Sequence, residues 1–214
     1  MSTIVSTPSI SDPTKYRKSL AIDCPLNFGT KKAQKILQAF AFPCKEHRAI
    51  YKSIHYEAGY VMATNCYTLI IAKTNYPKEY ERRTLDAKGY DVNMICRYPN
   101  VPMALRNDEY ERVCFNREKF ISAVKEALDK RKTDKRAAAI YIACNNVIAL
   151  TPETAKPLMQ LLEWGKKLTI CIATSLVYRT QVVEVNGDGL VAMVMPINIT
   201  ESPIEGDAQI IKAF

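Results

Sequence analysis

Histidine is nearly absent from this chain of 214 residues, which contains only His47 and His55. Seven cysteines are present, but they are scattered singly and no two form a Cys-x-x-Cys pair. A zinc site or a disulfide scaffold needs clustered spacing, so no metal and no cofactor is expected. Most of the cysteines lie among Val, Ile, Ala and Phe and read as small core residues of a protein in a reducing compartment, the cytoplasm. No apolar run approaches the roughly 18 residues of a membrane span, and the first residues lack the basic-then-apolar order of a secretory signal. The sequence holds no glycine-rich phosphate loop, no Gly-x-Ser-x-Gly elbow and no His-Glu-x-x-His, so the expectation is a protein that is not an enzyme.

What the chain does have is positive charge, net +8, unevenly placed. Residues 1–40 carry six basic and two acidic side chains, and residues 117–136 carry eight and four. The rest of the chain balances. An excess confined to two segments points to a polyanion-facing surface, against the simpler alternative of two solvated faces.

The segment Thr30–Phe40 is the clearest helix, with Gly29 and Thr30 to start it and Pro43 to end it. At 100° per residue, Ala33, Ile36, Leu37 and Phe40 share one side, while Lys31, Lys32, Lys35 and Gln38 cluster on the other. Strands are expected at 48–56, 59–65 and 67–73, followed by an irregular stretch over 76–110. A second half opens with a strand at 112–115 and a helix at 117–130 capped by Asn116. The basic run Lys130-Arg131-Lys132-Thr133-Asp134-Lys135-Arg136 is expected just after that helix. Strands at 138–144 and 146–151 are joined by Asn145-Asn146, and a short helix runs over 157–164 with Pro157 in its first turn. Strands at 167–173, 176–185 and 190–197 close the half.

The expected architecture is α+β: two similar domains of antiparallel sheet with the helices on one face. The boundaries are a flexible segment 1–18, domains 19–108 and 109–199, and a tail 200–214.

Three segments carry a resemblance. Gly59-Tyr60-Val61-Met62-Ala63-Thr64-Asn65-Cys66-Tyr67-Thr68-Leu69 is similar to the Ala-Thr-Asp-Gly-His-Arg-Leu of bacterial DNA sliding clamps. Arg97-Tyr98-Pro99-Asn100-Val101 resembles the Phe-Pro-Asp/Asn-Tyr before a domain junction in that family, and Val194-Met195-Pro196-Ile197-Asn198 resembles its terminal Val-Met-Pro-Met-Arg. The likeness runs over roughly residues 20–199 and maps onto two of the three domains of the bacterial clamp. Asn65 and Cys66 replace Asp-Gly, Tyr67 and Thr68 stand where His-Arg is usual, and the first half lacks the family's second helix.

The resemblance implies a processivity factor that holds duplex DNA without reading its sequence and tethers a polymerase or clamp-loader-like protein. DNA contact would fall to Lys31, Lys32, Lys35 and Gln38 in the first half. In the second it would fall to Lys125, Lys130, Arg131, Lys132, Lys135 and Arg136. A pocket for partner peptides would use Tyr67, Thr68, Met193, Met195, Pro196 and Ile197. Because clamp rings contain six domains, a two-domain chain implies a homo-oligomer, a trimer first and a monomer second. The alternative is a clamp-fold protein that forms no ring, either a decoy for clamp partners or a simple nucleic-acid-binding module. The end of the chain, Gln209-Ile210-Ile211-Lys212-Ala213-Phe214, loosely resembles clamp-docking peptides and would dock in the chain's own pocket, against the simpler alternative of a chance match in a frayed tail.

Overall fold

The computed structural model describes residues 26–28, 30–41, 49–92, 98, 110–133, 140–143, 147–176, 180–187, 189–197 and 209–212. Helix α1 spans Lys31–Ala41, and its buried residues are Ala33, Ile36, Leu37, Phe40 and Ala41. The Thr30 hydroxyl accepts the backbone N–H of Ala33 at 3.2 Å, satisfying one of the donors a helix start leaves open.

A short 3₁₀ turn at Ala49–Lys52 precedes β1, Ser53–Glu57, so the strand begins later than the expected 48. Next come β2 (Tyr60–Thr64), β3 (Thr68–Lys73) and β4 (Arg83–Asp86). The β1–β2 turn uses Ala58 and Gly59 at φ 52° and 78°, the left-handed pair that suits a tight hairpin. The carboxylate of Glu81 accepts the Ala58 N–H and so helps hold the strained alanine in place.

In the second half β5 is Tyr110–Cys114, α2 Arg117–Thr133, β6 Ile140–Ala143 and β7 Val147–Leu150. Asn116 caps α2 as expected, its side-chain oxygen accepting the Lys119 N–H at 2.8 Å. Then follow α3 (Pro152–Trp164), β8 (Thr169–Ser175), β9 (Gln181–Gly187), β10 (Leu190–Val194) and β11 (Gln209–Lys212). Three expectations are corrected here. Helix α3 starts at Pro152, five residues before Pro157: Thr151 accepts the Thr154 N–H, and Pro152 occupies the first turn, where its missing N–H costs nothing. Pro157 lies inside the helix with its ring buried. Residues 130–132 of the basic run belong to α2 itself. Finally, β9 starts only at Gln181, well inside the expected 176–185.

Eight strands form one antiparallel sheet in the order β4-β1-β2-β3-β10-β9-β8-β5. A helix followed by a three-strand meander occurs twice, as α1-β1-β2-β3 and as α3-β8-β9-β10. The two units meet where β3 pairs β10, from Thr68↔Val194 to Ala72↔Leu190. The sheet order therefore reads alike outward from that seam, and the partner of α1 in the repeat is α3, not α2.

Alternation of side chains gives the sheet two buried faces. One carries Ile54, Tyr56, Val61, Ile70, Ile172, Val183, Val185 and Ala192, in a single cluster with the apolar residues of all three helices. The other carries Tyr60, Met62, Ile71, Val191 and Met193, with no helical residue among them. On this second face the ring of Tyr98 stacks on His55 at 4.5 Å. Burial there holds the His55 pKa below the ordinary imidazole value, outweighing Glu57 at 3.5 Å, which pulls the other way. Also on this side, the fully buried carboxylate of Glu184 accepts Arg112 Nε at 3.0 Å.

A second sheet has the order β11-β6-β7, with β11 parallel to β6. Residues 209–212, expected to be an unpaired tail or a ligand for the partner pocket, instead form an edge strand of this sheet. Cys114 and Cys171 face one another across β5 and β8 and are joined by a disulfide. The expectation that most of the cysteines are small core residues in a reducing compartment is corrected at these two, which are 57 residues apart in sequence and adjacent only through strand register.

Candidate nucleic-acid interface

Charge on the helical side is distributed differently from what the sequence alone conveys. On α1, Lys31, Lys32 and Lys35 are all exposed. Among the described residues, none of the three makes an ion pair. Lys32 lies over the ring of Trp164 on α3, its ammonium 5.7 Å from the ring centre, which braces α1 against α3. Apolar packing on one side thus fixes a rigid helix whose other side presents three cations. Gln38 lies one turn beyond Lys35 on α1. With Gln34 it lines a cleft between α1 and the β1–β2 end of the sheet.

On α2 most of the cations are engaged; Lys119 is exposed and makes no ion pair among the described residues. Lys125 Nζ is 2.7 Å from Glu163, and Arg131 Nε is 2.9 Å from Glu153, both partners on the antiparallel helix α3. Lys130 pairs with Glu126 at 3.1 Å and Lys132 with Asp129 at 2.7 Å, within α2. Arg117 donates to the carbonyls of Leu162, Gly165 and Lys166, where it caps the end of α3 and opposes the negative pole of that helix. Lys135 and Arg136 lie outside the described residues.

The residues expected to form a partner pocket cluster at the end of the β3–β10 seam, where the ladder continues through Met195 N–H to the Tyr67 carbonyl at 2.8 Å. They do not all face solvent. Thr68 is buried, its hydroxyl 2.8 Å from the Phe40 carbonyl and 2.9 Å from Asn65 Oδ1. Met193 is buried in the cluster on the helix-free face. By contrast Tyr67 is 63% exposed, Met195 49% and Ile197 47%, with Pro196 half-buried between them. Ile197 N–H bonds to the Ala149 carbonyl at 2.9 Å, so 195–197 bridge from the large sheet to β7.

The β2–β3 turn behind this surface explains the two departures at 65 and 66. Asn65 Oδ1 accepts the N–H groups of Tyr67 and Thr68 at 3.0 and 2.9 Å, a task open to an aspartate oxygen as well. Cys66 takes φ 76°, the conformation for which a glycine would be free of strain.

Among the described residues, no group of three or more His, Cys, Asp and Glu is placed to hold a metal ion, and no helix is long and apolar enough to cross a membrane.

No family model and no curated protein matches the chain in sequence. In three dimensions its fold is that of solved DNA sliding clamps. A protein assigned as a DNA polymerase III beta subunit from Eubacterium rectale ATCC 33656 superposes with a TM-score of 0.54 at 10% identity, covering 81% of this chain and 64% of that one. The DNA polymerase III beta subunit of Thermotoga maritima gives 0.53 at 10% identity, with 81% and 63% covered. The DNA polymerase sliding clamp of Bacillus subtilis gives 0.48 at 15% identity, with 90% and 67% covered. The chain thus spans just under two thirds of the first two proteins.

Proposed function

We propose that the protein is a clamp-fold processivity factor that holds duplex DNA independently of sequence and tethers a polymerase or another replication protein. The observation that carries this is the trio of exposed lysines on α1, none of which makes an ion pair among the described residues. Phosphate contacts draw on cations that are not already neutralised, and a clamp needs them on a rigid element so that many weak contacts permit sliding. Lys31, Lys32 and Lys35 meet both conditions. Of the second basic segment, Lys125, Lys130, Arg131 and Lys132 would have to exchange a carboxylate for a phosphate, and they contribute less. Partner attachment is assigned to the exposed apolar edge Tyr67, Met195 and Ile197, with Pro196. Met193 and Thr68 serve behind it.

With domains at 19–108 and 109–199, three copies would complete a six-domain ring in head-to-tail contact. A second reading, a clamp-fold binder without a ring, is supported by the imbalance of the helical layer. Among the described residues, α1 alone accompanies β1–β4, whereas α2 and α3 accompany the other half.

The test is Lys31→Glu/Lys32→Glu/Lys35→Glu, measured by fluorescence anisotropy on duplexes of unrelated sequence across a salt series. Affinity should fall roughly a hundredfold on every duplex, and the slope of log affinity against log salt should flatten by roughly 0.9 for each phosphate no longer neutralised. Equal binding by parent and variant at low salt would sink the α1 assignment. Retention on closed but not on cut circular DNA separates ring from open binder.

A further inference from the structure

A cleft of about 340 Å³ lies over the β1–β2 end of the sheet, beside α1. That volume lies near the lower end of the roughly 300–1,000 Å³ typical of small-ligand sites. Its aromatic wall is built from Tyr56, Tyr76 and Tyr80. The Tyr56 ring meets Tyr76 edge-on at 5.3 Å and Tyr80 at 5.2 Å. Tyr76 is locked in place, because its hydroxyl donates to Glu81 at 2.6 Å and accepts the Gly59 N–H at 3.0 Å. Tyr76 and Tyr80 are only half-buried, so ring surface reaches solvent. Opposite them stand Gln34 and Gln38 of α1. Gln34 is engaged by the Phe28 carbonyl at 3.1 Å, whereas Gln38 makes no hydrogen bond among the described residues.

We propose that this cleft binds a single unpaired nucleobase of a single-stranded nucleic acid, with the adjoining phosphates on Lys31 and Lys35. Three features select that ligand. Aromatic rings with solvent access offer a base an apolar and π surface, which is how single strands are held without sequence preference. The amide of Gln38 can both donate and accept at a base edge. Among the described residues of the lining Asp86 alone is charged, so this part of the cleft repels a phosphate and suits an uncharged ring. Phosphates belong one ridge away: Lys31 and Lys35 are spaced i, i+4 on α1, and each lies three residues before Gln34 and Gln38 respectively, which makes the two ridges neighbours. The inference shares the α1 lysines with the proposed duplex face, but its ligand and its aromatic wall are separate from it.

The experiment compares the unmodified protein on labelled oligothymidylate, on an abasic strand of the same length and on a duplex. Binding to oligothymidylate should be about tenfold or more tighter than to the abasic strand, as expected when one base stacks on aromatic rings. Tyr80→Leu keeps apolar bulk and should erase that difference while leaving duplex affinity unchanged. Gln38→Ala should reduce it. Equal affinity of the unmodified protein for the two single strands overturns the inference, as would a Tyr80→Leu effect of equal size on all three ligands. A cleft that takes a peptide side chain instead would give the first of these results. The two readings fail separately. A base preference without lysine-dependent duplex binding retains the cleft and rejects the duplex face, while lysine-dependent duplex binding without a base preference does the reverse.

Discussion

Helices α1 and α2 begin from the same charge excess in sequence and end in different electrostatic states. Both lie in the helical layer, and each has α3 as a neighbour. The difference is what α3 offers them. Toward α2 it presents Glu153 and Glu163, which neutralise Arg131 and Lys125. Toward α1 it presents Trp164, which attracts Lys32 through its ring face but cancels no charge. Net charge of a segment is therefore a poor guide to its potential. The carboxylates that a neighbouring element brings into range decide how much of it is left for a polyanion.

The most severe way to break this comparison is to reverse charge on each helix in turn. Lys31→Glu/Lys32→Glu/Lys35→Glu should cost roughly a hundredfold in duplex affinity. The matching triple Lys125→Glu/Lys130→Glu/Lys132→Glu should stay within about tenfold of the parent, since those ammonium groups are already shared with carboxylates. Anisotropy titrations at one low salt concentration suffice. Equal losses would mean that the ion pairs of α2 open freely on DNA and that the two helices do not differ.

How far this could be read from the sequence depends on how local each determinant is. Helix α1, with its Thr30 cap, its buried side and its basic side, was legible because every determinant lies within one stretch of eleven or so residues. The antiparallel meanders were legible for the same reason, and the clamp-like fold followed from three segments in order. The fate of the α2 cations was not legible, because Glu153 and Glu163 are some 20 to 40 residues away and meet them only once α2 and α3 lie antiparallel. The same holds for Cys114 and Cys171, brought together by register, and for the parallel pairing of β11 with β6. At α3 the signal was present but outweighed: Pro157 drew attention from Thr151-Pro152, the better helix start. The expected partner pocket was half legible. Sequence order brings Tyr67 and Met195 to one seam, but strand alternation and hydrogen bonding bury Met193 and Thr68. The tyrosine cleft had no motif to announce it, since its walls come from three separated segments.

A milder intervention sharpens the comparison in the opposite direction. Glu126→Gln/Glu153→Gln/Glu163→Gln removes the carboxylates nearest Lys130, Arg131 and Lys125 while keeping their shape. Duplex affinity should rise about tenfold and the salt dependence should steepen, as α2 comes to resemble α1. Thermal stability should change little, because exposed pairs of this kind contribute less than about 1 kcal/mol each. A variant that gains no affinity would place α2 outside the DNA-facing surface whatever its charge.

The smallest expected effect is optical and tests whether Lys32 engages phosphate. Trp164 is the only tryptophan in the chain, with the Lys32 ammonium 5.7 Å from its ring centre and the Phe28 ring meeting it edge-on at 5.4 Å. A phosphate that recruits Lys32 draws the cation off the indole and alters the field at the ring. Titrating the parent with duplex DNA should therefore change the tryptophan emission modestly, in parallel with binding seen by anisotropy. Lys32→Met keeps the apolar stem over the ring and removes the charge, so binding should weaken only severalfold, as for one phosphate among several, while the emission change disappears. Lys125→Met, on the paired helix, should retain it. An emission change that persists in Lys32→Met would show that the indole senses some other movement, and Lys32 would then be a brace between α1 and α3 with no part in holding DNA.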